Sequence, residues 1–159
     1  MVNLIYVNML LRLYVILHFR YITVSKIVEY IGISRARALP GFYGFLGCDT
    51  TSSVVNRGTG TAWSVWNSYP AATCAFLVLS KPVDVEDLTP IMPIIETFIN
   101  KLFLGISCDL SSVDEARLDG IIFKSRNFSN LPPSSDALFQ HVLRTALQVC
   151  DNETLEFSF

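Results

Sequence analysis

Charge is scarce in this chain. Asp, Glu, Lys and Arg make up 16% of its 159 residues against 51% apolar, which excludes a disordered tail or a basic arm as a description of the whole. A net charge of −2 argues against indiscriminate coating of nucleic acid. Histidine is scarcer still. His18 and His141 lie far apart with no orienting partner at a useful spacing, which disfavours a catalytic histidine or a zinc centre. Cys48, Cys74, Cys108 and Cys150 form no CxxC pair; each sits in or beside an apolar segment, so they read as buried thiols of a reducing compartment. No G-x-S-x-G elbow surrounds Ser52 and Ser53, so a hydrolase nucleophile is disfavoured too. The most consequential shortage is of acid at the front: residues 1–48 hold Glu29 alone, and residues 1–19 hold none.

What is present suits one domain with a sizeable core. Residues 20–66 carry five bases against two acids, and residues 67–159 carry six bases against twelve. That asymmetry fits a local phosphate contact as well as ordinary surface variation. The first nineteen residues, MVNLIYVNMLLRLYVILHF, are apolar for roughly the length of a bilayer span. Arg12 near their centre would cost about 2.5–3.5 kcal/mol on insertion, and there is neither a basic start nor a cleavage site of a signal peptide. Three readings stand for them: a buried helix or strand, a membrane or interfacial anchor, or sequence left by an ill-defined start.

From residue 20 onward the chain reads as consecutive helices with short polar breaks. Arg20–Thr23 has strand composition. Ile27, Val28 and Ile31 have helical spacing, and Gly32 stops that helix. Ser34 is the expected N-cap of a second helix to Leu46, with Pro40 delaying its start to about Leu39. Short helices are expected over Thr61–Ser68 and Ala71–Leu79. Glu86–Leu104 is the longest candidate, with Leu88, Ile91, Ile95, Phe98 and Leu102 on one core-facing stripe and its regular part confined to the second half by Pro90 and Pro93. Ser112–Lys124 and Ser134–Cys150 each begin with serine and acid, which favour a helix N-terminus. The expected organisation is residues 1–19 as an apolar segment, 20–150 as one mainly α domain, and 151–159 as a tail.

The chemistry-bearing stretch is residues 46–66, LGCDTTSSVVNRGTGTAWSVW. Asp49 is a lone carboxylate at the end of an apolar run. Gly58 and Gly60 in the loop Asn56-Arg57-Gly58-Thr59-Gly60 free the backbone for close approach to a ligand, and the helix beyond presents its positive end to that loop. A junction of this kind can hold a phosphate, with Arg57 adding charge; a plain interhelical turn explains the glycines equally well. Trp63 and Trp66, three apart, read as core rather than a base-stacking platform. The acids Asp84, Glu86, Asp87, Asp114 and Glu115 fall on helix first turns, where capping explains them.

The run Tyr21–Trp66 resembles the central part of flap-endonuclease-type (PIN-like) structure-specific 5′ nucleases. There a second helix ends LLGxDY and a helix–two-turn–helix loop reads GxGxxxA; Leu46-Gly47-Cys48-Asp49 matches the first signature, and Gly58 with Ala62 matches part of the second. The chain is more closely similar to mobile-element-associated animal proteins with the wording ALPxFxxxxGCDTTS…GKGKxxAW. That likeness extends through SSVDEAR and LPPSSDALFQHVLRTALQ and covers about residues 20–150. The fold so implied is the helical C-terminal half of a PIN-like nuclease, with one or two short residual strands near the N-terminus.

By this resemblance Asp49 falls on a carboxylate of the family's second metal site, Asn56 where an opening glycine is usual, Arg57 on a basic position, and Gly58 on the second glycine. Thr59 and Gly60 replace positions often basic or proline. The family cuts phosphodiesters with two Mg2+ or Mn2+ ions, and one carboxylate cannot hold two such ions. The expectation is therefore a truncated, mobile-element-derived and catalytically inactive relative, with no metal bound and weak DNA-backbone binding through Asn56–Gly60. Its missing partner would be an N-terminal nuclease half. Its location would be intracellular, nuclear or cytoplasmic, with membrane association only through residues 1–19. Two other readings stay open: a helical protein-interaction domain without a nucleic-acid role, and a small membrane-tethered protein.

Overall fold

Glycine and proline punctuate the chain into helices that are mostly too short to stand alone and pack on one another. The computed structural model describes residues 23–47, 58–122 and 131–154, the last six by backbone only. The helices are α1 (Val24–Ile31), α2 (Ile33–Leu46), α3 (Thr59–Ser68), α4 (Ala72–Leu79), α5 (Val85–Leu88), a 3-10 turn (Thr89–Ile91), α6 (Met92–Leu104), α7 (Val113–Ile122) and α8 (Ser135–Thr154). Among the described residues there is no strand, so the chain is mainly α. No helix among them is long and apolar enough to cross a membrane. Residues 1–19, all but Thr23 of the strand expected over Arg20–Thr23, Cys48 and both Ser52 and Ser53 lie outside the described residues; Thr23 itself is the N-cap residue of α1.

Helix α2 is the centre of the packing, touching α1, α4 and α8. Its start departs from expectation. Gly32 takes φ 84° and ψ 151°, a conformation open to glycine alone, and it both closes α1 and precedes α2. Ser34 is therefore inside the helix and does not cap it. Pro40 does not delay the start either; the helix runs through it from Ile33. Proline in a helix interior removes one ladder bond and crowds the carbonyl four residues back. Beside it, the Gly41 amide donates to Ser80 Oγ at 2.9 Å, and that hydroxyl donates to Phe76 O at 2.7 Å. A tertiary relay between α2 and α4 thus sits where the proline weakens the helix. Gly41 permits the close approach: a Cβ there would lie 2.2 Å from Phe76 O.

Around this crossing lies an aromatic cluster of Phe42, Phe45, Trp66, Phe76 and Phe98, all fully buried. Ring centroids of Phe42 and Trp66 are 4.6 Å apart, and Phe76 meets Phe98 edge-on at 5.2 Å. Such pairs contribute about 0.5–1.5 kcal/mol each beyond area burial. Trp66 also donates from Nε1 to Thr73 Oγ1 at 2.9 Å, satisfying its polar edge.

The stretch from residue 85 to 104 divides as its prolines dictate, with regular helix only from Met92. Leu88, Ile91, Ile95, Phe98 and Leu102 are all buried, as their spacing requires. The longest helix among those described is nonetheless α8, 20 residues. On it Leu138, Val142 and Ala146 are buried, Phe139 and Leu143 pack at the rim of the core, and Leu147 is 66% exposed.

Candidate functional site

Helix α3 is anchored by Ala62, Val65 and Trp66, one apolar stripe turned into the core. Arg35 of α2 fixes its far end: Nη1 donates to Asn67 Oδ1 at 2.6 Å, Nη2 to Trp66 O at 3.3 Å, and the guanidinium lies 5.7 Å from the Trp66 ring centroid. That is a cation at a helix C-terminus, the end where it stabilises. Arg35 is thereby spent at the opposite end of α3 from the glycines.

At the near end the helix begins earlier than its sequence suggests. Thr59 and Gly60 form its first turn instead of a loop. The amides of Thr61 and Ala62 donate to Gly58 O at 3.0 and 3.2 Å. Those of Thr59 and Gly60 stand where a helix offers no acceptor of its own, and no described side chain caps them. Gly58, Thr59 and Gly60 are all exposed. Gly58 has φ −66°, and among the described residues a Cβ on either Gly58 or Gly60 would meet nothing within 4 Å. Neither backbone conformation at Gly58 nor crowding at either position calls for glycine. Of the expected site residues, Asp49, Asn56 and Arg57 lie outside the described residues, so only this helix start is placed.

Gly47, in the Leu46-Gly47-Cys48-Asp49 signature, has a structural task. It closes α2 at φ 87°, and its amide donates to Gly44 O at 3.2 Å. Trp66 is core, fully buried, whereas Trp63 is half-buried at its margin and packs edge-on against Trp66 at 5.2 Å. Cys74 corrects an expectation, for it is exposed, and Cys108 is half-buried.

The later acids lie at helix starts, but Asp84, at the N-cap position of α5, makes no side-chain cap bond, so capping does not account for it. Glu86 and Asp87 occupy the first turn of α5, and Asp114 and Glu115 that of α7. Asp114 reaches further, accepting from the Ser135 amide at the start of α8 at 3.1 Å. Among the described residues no three His, Cys, Asp or Glu side chains converge to hold a metal ion.

The polar residues that hold this helical frame escaped the sequence reading. Glu96 accepts from the Val113 amide at 3.0 Å and so caps α7 from another helix. Asn100, fully buried, donates to Leu110 O and Ser112 O, both at 3.0 Å. Lys101 donates to Ile106 O and Cys108 O. Together they pin residues 105–113 along one side of α6. Polar residues at 96, 100 and 101 interrupting an apolar helix were the available signal. His141 of α8, 7% exposed, lies with Nε2 2.6 Å from Phe45 O in the last turn of α2, its ring edge-on to Phe45. Burial lowers its pKa below the usual histidine value; the Phe45 carbonyl opposes that shift, and Arg144 adds to it. It is a clamp between two helices.

No family model matches the chain, and neither the curated proteins nor the solved structures contain a match to it.

Proposed function

We propose that this chain is a helical relative of the PIN-like 5′ nucleases that binds the sugar-phosphate backbone of DNA at the start of α3 and does not cleave it alone. The observation that carries this reading is the pair Gly58 and Gly60. They are exposed, unpacked by any described residue, and set at the positive end of a helix whose first amides are uncapped by any described side chain. Glycine there costs helix stability, and close approach of a ligand's phosphate to the backbone is a reason to carry that cost. Arg57, next to Gly58 in sequence, supplies the charge. Asp49 is the one carboxylate that the family likeness supplies, too few for a two-ion centre.

Fluorescence anisotropy of a labelled DNA with the full chain, across a salt series, tests this. Log affinity should fall linearly with log salt, and Arg57→Ala should weaken binding while reducing the slope by about one phosphate contact's worth, ~0.9. Absent or salt-independent binding would refute it. In that event the second reading, a helical interaction domain, gains. It rests on α7, which buries its small residues Val113, Ala116 and Gly120 and turns Leu118 (57% exposed) and Ile122 (63%) outward.

A further inference from the structure

We draw no further inference here: the strongest candidate, the outward apolar face of α7 around Leu118, Ile121 and Ile122, is exposed but nothing in the structure shows what covers it.

Discussion

Gly41→Ala is the sharpest test of the packing, because the added carbon has nowhere to go. Its Cβ would sit 2.2 Å from Phe76 O, 2.9 Å from Ser80 Oγ and 3.0 Å from the Leu79 carbonyl carbon. Two of those three are backbone atoms of α4, which cannot swing aside as a side chain can. Restoring ordinary contact requires α2 and α4 to part by about 1 Å, and overpacking of this kind costs about 1–3 kcal/mol. Parting also stretches the 2.9 Å bond from Gly41 N to Ser80 Oγ, and an orphaned buried donor adds about 1–3 kcal/mol. The expected loss is therefore about 2–6 kcal/mol, a large share of the ~5–15 kcal/mol that holds a typical domain together. Urea unfolding followed by circular dichroism measures it, read as a fall in midpoint at constant slope. Ser80→Ala provides the companion variant. It removes only the relay and should cost about 1–3 kcal/mol. The double variant should lose less than the sum, since both substitutions break the same bond. If Gly41→Ala unfolds within about 0.5 kcal/mol of the parent, the range expected of an innocuous surface change, the close helix crossing is wrong.

Three further outcomes follow from the same geometry. His141 is kept neutral by burial, so the unfolded chain binds more protons than the native one between its lowered native pKa and the ordinary value near 6.5; stability should be full above that value and fall as pH drops through the window, and His141→Gln should flatten the dependence in urea midpoints taken at about pH 5 and about pH 8. Asn100→Ala should strip the side-chain donor from Leu110 O and from Ser112 O, which keeps only the Ala116 amide; it should cost about 1–3 kcal/mol and speed hydrogen exchange in residues 105–112 first, and uniform acceleration across the chain would show that the segment is not pinned locally. Gly60→Ala, in the open first turn of α3, should raise stability by up to about 1 kcal/mol while weakening DNA binding in the anisotropy assay. Unchanged binding in a stabilised variant would leave Gly60 no part in the phosphate contact.

The positions of the helices were written locally, and so were readable. Gly32 and Gly47 stop helices because they adopt positive φ; Pro90 and Pro93 delay regular helix to Met92; Leu88 to Leu102 recur at a period that puts them on one side. Each of these signals acts within a turn or two of chain. What misled was also local. Pro40 speaks for a helix break by itself, and the Gly58-Thr59-Gly60 spacing speaks for a loop, yet α2 runs through Pro40 and α3 already begins at Thr59.

The sequence by itself determined the helical class, the stripes that became core and the punctuation between helices. Only the tertiary structure decided which polar groups hold the assembly: Ser80 on Gly41, 39 residues away; Glu96 on Val113, 17 away; His141 on Phe45, 96 away. The physical reason is that periodicity is a property of one helix, whereas a hydrogen bond between helices depends on where two of them cross, and the packing of large and small side chains sets that crossing.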